Sequence, residues 1–515
     1  MVTDLTASTT PTGSARRTWT LTIACFGVLL VISSMVALNT ALGDIAVSTT
    51  ADQTQLTWIV DSYTLVLACA LLPAGAIGDR YGRRGALLFG LAVFAGASVV
   101  PAVSTVAVHI IAARAVAGLG AAFVMPATLS LLTSSYPKEQ RAKAVGIWAG
   151  VAGCGGIVGM LGSGVLLHFW SWQSIFWAFA GAAIVLFALT ATISSSRDAE
   201  AAPLDIAGAA VIAAAVAALV YGILEAPARG WSDALVLGCL AAGVLLVLAF
   251  GYLELRRHHP LLDVRLFAVP EFGTGAAAIT VMFLVMFGFF YLAMQFMQLV
   301  LGYSAIGTAF ALSPLAVPML ALSLLSSWYL PRMGLRSVIF TGMALLAVGL
   351  LCLRTITLDA SYWDIAWRLV VVSTGIGLFT APTTSAIMTA TPDDKQGVAS
   401  AVNDTTREVG AALGIALTGS LLASGYSRHI APILDAYPPA VREAARGSLA
   451  GAAAAAAHLG PRGDQLIAAA RSAFLHGMGS TLLVLAIITA AAGALIALWA
   501  PGRHGTRFSL RRKHS

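Results

Sequence analysis

The sequence predicts an all-α polytopic membrane protein, with two six-helix halves plus two inserted helices, fourteen transmembrane helices in all. Three observations carry this expectation. Mean hydropathy is +0.86, with 58% hydrophobic and 10% charged residues over 515 positions, outside the range of soluble domains. Apolar runs of about 20 residues, enough to cross a bilayer core, recur along almost the whole chain. The basic residues gather in alternate breaks between those runs.

Taken in order, the apolar runs place spans near 19–42, 54–74, 85–102, 106–133, 144–166, 173–194, 205–226, 233–255, 272–299, 306–330, 335–355, 364–391, 398–424 and 474–500. The polar start, 1–18, reads as a cytoplasmic tail before a retained first span, since no cleavage site follows a short apolar region. The organisation expected is a six-helix bundle over 19–194, two inserted helices over 205–255, a second bundle over 272–500, and a basic cytoplasmic tail over 501–515. Between the last two spans lies a long segment, 425–472. Its alanine content, with Pro438-Pro439 before one run and Pro461 before the next, predicts an extracellular hairpin of two short helices.

The charge distribution orients the spans. Breaks on one side hold Arg16 and Arg17; Arg80, Arg83 and Arg84; Lys138, Arg141 and Lys143; Arg197; Arg256, Arg257 and Arg265; Arg332 and Arg336; Lys395; and Arg503, Arg507, Arg511, Arg512 and Lys513. These are 20 of the 30 basic residues, which puts that side and both termini in the cytoplasm. The formal charge of +7 therefore marks topology in a cell inner membrane, with the lipid bilayer as partner, and not nucleic-acid binding. The five cysteines, Cys25, Cys69, Cys154, Cys239 and Cys352, lie inside apolar runs without metal-ligand spacing, which argues against disulfides and metal sites.

Two parts of the chain echo each other. "ARAVAGLGAAFVMPATLSLLTSSYPKEQRAKAVG" (113–146) resembles "WRLVVVSTGIGLFTAPTTSAIMTATPDDKQGVAS" (367–400), and "DRYGRRGALLFG" (79–90) echoes "PRMGLRSVIFTG" (331–342). The offset stays near-constant: 252 for Arg80 and Arg332, 254 for Arg114 and Arg368, 256 for Pro126 and Pro382. It spans eight helices, so two parallel six-helix repeats are separated by two inserted helices, with substrate and ion sites expected at the midplane between them.

Several stretches carry a family resemblance. "GAIGDRYGRR" (75–84) is similar to the major facilitator signature between spans two and three. "WIVDSYTLVLA" (58–68), "RAVAGLGAAFVMPATLSLL" (114–132), "PLLDVRLF" (260–267) and "QLVLGYS" (298–304) resemble motifs of the fourteen-span drug:proton antiporters, within the quaternary ammonium and multidrug pumps. The chain departs from that pattern in three places. Ser34 stands where the first span usually has Asp, Met160 stands where the fifth has Pro, and "LSPLAVPMLALSL" (312–324) has no acid. The resemblance implies a conformational latch at Gly75, Asp79, Arg80, Gly82, Arg83 and Arg84. Within it, Asp79 is expected to cap a facing helix N-terminus, a favourable place for an anion.

The charged residues inside spans are the functional candidates, because a charge near the bilayer centre costs about 2.5–3.5 kcal/mol on insertion scales. Asp61 lies roughly 10 Å into span two at 1.5 Å per residue; the alternative is a structural acid bonded to a neighbour such as Tyr63. Asp404 and Glu408 are one turn apart on one helix face, with Arg407 three residues from Asp404. Two stacked carboxylates in low dielectric do not both ionise cheaply, so one is expected to hold a proton that a cation displaces. The competing reading is a self-neutralised cluster that only packs span thirteen. Arg114 reads either as an arginine snorkelling to the outer interface or, by resemblance, as a charge relay. Trp58, Ser34, Phe287, Tyr291, Met294 and Gln295 are candidates for an adaptable pocket for flat cations.

The expected function is a proton-coupled multidrug efflux antiporter for lipophilic, mostly cationic compounds, working by alternating access. The alternative is export of an endogenous lipid, an antibiotic or another neutral hydrophobic compound. No G-x-x-x-x-G-K-[ST] loop and no nucleophile–base constellation is present, so no cofactor and no enzymatic activity are expected, and the proton gradient supplies the energy. A monomer is expected, with small substrates and protons as its partners.

Overall fold

The computed structural model describes residues 12–194, 205–258, 260–457 and 459–502. Expectations for the first eleven residues, Arg197 and the basic tail from Arg503 lie outside those residues. The described residues form helices and turns, thirteen of the helices long and apolar enough to cross a membrane.

The first half contains α1 (Thr12–Ala37), a short α2 (Leu42–Thr49), α3 (Gln53–Tyr81), α4 (Arg83–Val103), α5 (Ala107–Ser135), α6 (Lys138–Phe169) and α7 (Gln173–Thr190). The inserted pair is α8 (Ile206–Arg229) and α9 (Ala234–Arg256). The second half contains α10 (Pro270–Gln295), α11 (Ala305–Leu312), α12 (Ala316–Leu353), α13 (Tyr362–Ala390), α14 (Gln396–Leu434), α15 (Pro439–Gly447), α16 (Leu449–Ala456) and α17 (Pro461–Trp499).

Local chemistry sets the helix starts. Asp52 accepts from the Gln55 amide at 2.8 Å while Gln55 returns a side-chain acceptor to the Asp52 amide at 3.1 Å, a reciprocal cap on α3. Asp233 caps α9 and Ser304 caps α11 in the same sense. Proline opens α10, α15 and α17, where its missing N–H would have had no helical partner.

At 1.5 Å per residue, the 38 residues of α12 would run about 57 Å, nearly twice a bilayer core. The helix is broken at Gly334, whose φ of 76° and ψ of 154° are non-helical. The segment from Ile306 to Leu353 is therefore two crossings, which brings the thirteen long helices to fourteen spans. Gly334 lies 252 positions after Gly82, which turns α3 into α4 with φ of 113°. The repeat thus reuses one backbone device: a glycine at positive φ that reverses the chain between two spans.

Two boundaries differ from the sequence reading. The first helix begins at Thr12, inside the stretch read as a tail, because "GSARRT" continues the helical backbone without a breaker. Pro461 opens the last span itself, so the second short helix of the 425–472 segment is α16, capped by Ser448, and α14 runs on to Leu434.

The halves meet along two seams. In one, α6 packs against α12, and its small residues decide the separation: a Cβ on Gly146 would sit 2.8 Å from Ser326 Oγ. On its other flank α6 lies against α1, where a Cβ on Gly159 would sit 2.7 Å from the Ser33 carbonyl oxygen. In the second seam α3 packs against α14, and α8 lies against both. Trp58 of α3 stacks on Tyr221 of α8 at 5.9 Å, and Trp231 just past α8 donates to Ser420 of α14 at 2.9 Å. The outer faces of α9, such as Leu245 and Leu248, are exposed as lipid contact requires.

Candidate functional site

The charged candidates fall into four places. The first is at the basic face. Asp79 accepts from the Gly397 and Val398 amides at 2.9 and 3.0 Å, so its carboxylate sits on the N-terminus of α14 as the sequence placed it. Arg83 holds that carboxylate at 2.7 Å and donates to the Asp393 carbonyl at 3.2 Å, while Arg141 pairs with the Asp393 side chain at 2.6 Å. Gly75 allows the approach, since a Cβ there would lie 2.8 Å from Ala401 Cβ. Arg80 stacks over Tyr81, and Arg84 donates to the Ala191 carbonyl just past the end of α7. The first and second halves are thus tied at this face, with Gly82 turning the backbone beside the tie.

The second place lies inside the first half. Arg114 is 2% exposed, which excludes snorkelling to the interface. It donates to the Ile59 carbonyl at 3.2 Å, to Ser34 Oγ at 3.0 Å and to the Ser34 carbonyl at 3.3 Å. Its guanidinium lies 4.1 Å from the centre of the Tyr63 ring, and Tyr63 donates to the Val31 carbonyl. Every acceptor Arg114 uses is neutral. Tyr63 was named in the sequence only as an alternative partner of Asp61, to which it makes no hydrogen bond.

The third place is on the second half, facing the first. Asp404, Arg407 and Glu408 are buried on α14, with exposures of 0, 2 and 4%. Arg407 Nη1 stands 4.0 Å from Asp404 Oδ1, a loose pair, and Nη2 donates to Thr384 Oγ1 at 3.3 Å. Asn403 donates to Asp404 Oδ1 at 3.0 Å. Asp404 Oδ2, Glu408 Oε2, Arg407 Nε and Arg407 Nη1 make no hydrogen bond with described residues. Glu408 lies within electrostatic reach of Tyr63, which links this cluster to the Arg114 site. Sequence reasoning missed Trp148 on α6 and Phe283 on α10, whose rings flank Arg407 at 5.0 and 5.2 Å. Phe283 in turn stacks on Phe287 at 5.8 Å, so the stripe that holds the half-buried Phe287, Tyr291, Met294 and Gln295 begins at the cluster.

The fourth place is separate. Asp61, with Trp58 one turn away, faces α8, where Glu225 is its charged neighbour; Glu225 itself pairs with Arg229 at 2.6 Å. Asp61 is therefore not brought together with Asp404 and Glu408. A cavity of about 520 Å³ is elsewhere again: it lies at the basic face of the second half, lined by Glu271, Pro331, Gly334, Ser385 and Thr389.

Buried acids and cations thus lie where two pseudo-repeated bundles meet, and the bundles are tied at one face. The sequence profile described as Major Facilitator Superfamily matches residues 24–415. The chain belongs to this superfamily. Among curated relatives of this family member, it is 31% identical over 495 residues to the "Multidrug efflux pump LfrA" of Mycolicibacterium smegmatis, covering 95% of this chain and 97% of that one. It is 32% identical over 490 residues to the "Methyl viologen resistance protein SmvA" of Salmonella typhimurium, covering 92% and 97%. The solved human organic anion transporter MFSD10 shares the fold with a TM-score of 0.62 at 13% identity, over 93% of this chain and 99% of that one. The protein is a multi-pass membrane transporter of the drug-efflux type.

Proposed function

We propose that this transporter exports lipophilic, mostly cationic compounds in exchange for protons. The observation that carries the reading is the Asp404–Arg407–Glu408 cluster: fully buried, loosely paired, and facing an aromatic side chain of the opposite half. Two acids and one guanidinium leave one negative charge in excess, which a proton or a cation can neutralise, and not both at once. That mutual exclusion is what an exchanger needs. The name of the methyl viologen resistance relative supports a cationic cargo, since methyl viologen is a flat dication. In this reading the Asp79 tie to α14 and the Arg141–Asp393 pair hold the cytoplasmic face shut, and they part when the cargo enters.

The test is gradient-driven movement of ethidium in proteoliposomes with an imposed pH difference. Wild-type protein is expected to move the dye, Glu408→Gln and Asp404→Asn to lose at least tenfold of the rate, and Asp79→Asn to slow turnover while keeping substrate affinity. Gradient-independent movement by folded protein would sink the exchange reading. A second reading, export of a neutral lipid or antibiotic, is favoured by Ser34, which leaves Arg114 without a carboxylate partner in the first half. Movement of neutral hydrophobic probes without ethidium would select it.

A further inference from the structure

The seat of Arg407 is unusual for a guanidinium. An arginine buried for stability normally spends its five N–H donors on carboxylates and carbonyls. Here Nη2 reaches Thr384, while Nε and Nη1 have no hydrogen bond and the Asp404 oxygen nearest the charge is 4.0 Å away. What surrounds the charge instead is two aromatic faces: Trp148 at 5.0 Å and Phe283 at 5.2 Å. The rings come from different halves of the transporter, on α6 and α10. Trp148 is fully buried, and its Nε1 donates to Thr128 Oγ1 at 3.2 Å, which fixes the ring. Phe283 is backed by Phe287.

An aromatic pair with a diffuse negative field suits a cation that has no hydrogens to donate. For a quaternary ammonium or a delocalised aromatic cation the missing hydrogen bonds carry no penalty, whereas for Arg407 each one does. We propose that the Trp148–Phe283 pair is the recognition seat for a delocalised lipophilic cation, and that Arg407 is a tethered occupant which the cargo displaces. This inference rests on the cation-export reading and deepens it. A cargo cation entering beside Arg407 adds one positive charge to the buried cluster. Loss of the proton held between Asp404 and Glu408 restores the balance: one cation in, one proton out, with no covalent step. The charged groups facing the seat are those three residues of α14; Thr384, Asn403 and Thr128 supply neutral polar atoms.

The proposal gives Trp148 a role distinct from packing. Because its ring belongs to the first half and Phe283 to the second, the seat exists only while the two halves are in register. Rocking of the halves takes the rings apart and releases the cargo, which ties affinity to conformation without any further residue.

The experiment is equilibrium binding of tetraphenylphosphonium and ethidium to the full-length protein in lipid nanodiscs at pH 7.5. Arg407→Leu vacates the seat and is expected to bind both cations about tenfold tighter than wild type. Trp148→Leu is expected to bind about tenfold weaker, with Trp148→Phe within about threefold of wild type and Phe283→Leu weaker again. Unchanged affinity in Trp148→Leu and Phe283→Leu overturns the seat while leaving cation export standing. Weaker binding by folded Arg407→Leu overturns the displacement. Should Arg407→Leu fail to fold, the contrast of Trp148→Leu with Trp148→Phe decides the matter alone. Absence of cation binding by wild-type protein that binds a neutral hydrophobic probe defeats the export reading, and this inference with it.

Discussion

Two arginines are buried to the same degree, each against an aromatic ring, yet their surroundings are opposite. Arg114 makes three hydrogen bonds to Ser34 and Ile59, all to neutral oxygens, and has no carboxylate beside it. Arg407 makes one hydrogen bond, leaves two nitrogens unbonded, and stands among two carboxylates. The first is fastened by geometry and keeps its charge unbalanced; the second is balanced once one of its two acids holds a proton, and is barely fastened. A fastened cation suits a fixed part of a bundle. A balanced but loose one suits a site where charges change places.

The sharpest way to break this comparison is truncation of each arginine with stability followed against pH. Arg407→Ala leaves two buried carboxylates with no counter-charge, a loss of about 3–5 kcal/mol when both are ionised. Acid neutralises them, so its melting temperature is expected to recover as pH falls from 8 to 5. Arg114→Ala removes an unbalanced charge and its bonds together, so its smaller loss, about 1–3 kcal/mol, is expected to stay flat over that range. Parallel pH profiles for the two variants would erase the distinction.

A smaller effect sharpens it from the other side. Ser34→Asp places a carboxylate where a hydroxyl now accepts from Arg114 at 3.0 Å. The charged hydrogen bond is expected to add about 1–2 kcal/mol of thermal stability at neutral pH. An unchanged or lowered melting point would mean that burying the new acid offsets the pair.

Two further variants test single hydroxyls. Thr384→Val removes the hydrogen bond to Arg407 and is expected to cost about 1 kcal/mol, with ethidium transport retained, because the seat does not depend on that bond. Tyr63→Phe keeps the ring under Arg114 and loses the hydroxyl's bonds, to the Val31 carbonyl and with Ser34, for an expected cost of about 0.5–1.5 kcal/mol in thermal melting. A loss of several kcal/mol in Tyr63→Phe would show that the hydroxyl, and not the ring face, secures Arg114.

What the sequence disclosed follows the range of the interactions concerned. Asp404, Arg407 and Glu408 share one helix, so 3.6-residue spacing alone placed them together. Asp79 was legible because a resemblance in the stretch around it named its partner as a helix end, and the amides of Gly397 and Val398 are that end. Span count was legible from apolar runs, although the break at Gly334 shows itself only as a backbone angle in a helix otherwise continuous. Trp148 and Phe283 were not legible as partners of Arg407. They lie over a hundred residues from it on other helices, and nothing local distinguishes a tryptophan that faces the opposite bundle from one that faces lipid. The setting of Asp61 was not legible for the same reason: depth along span two is a matter of counting, but the side it faces is decided by α8, which the repeat pattern does not position.

The inserted pair makes the transporter lopsided. On one flank α8 roofs the line where α3 meets α14, pinned by Trp58 on Tyr221 and Trp231 on Ser420, while Lys395 at the start of α14 reaches back to the Pro260 carbonyl at 3.2 Å. On the opposite flank α6 lies directly against α12, with α11 and α13 also touching α6, and Val317, Leu325 and Trp328 are exposed. Without α8, the line between α3 and α14 would lie as bare as the one between α6 and α12. The two seams of this chain are thus unequally shielded from the bilayer: one is roofed by the inserted pair, and the other is not.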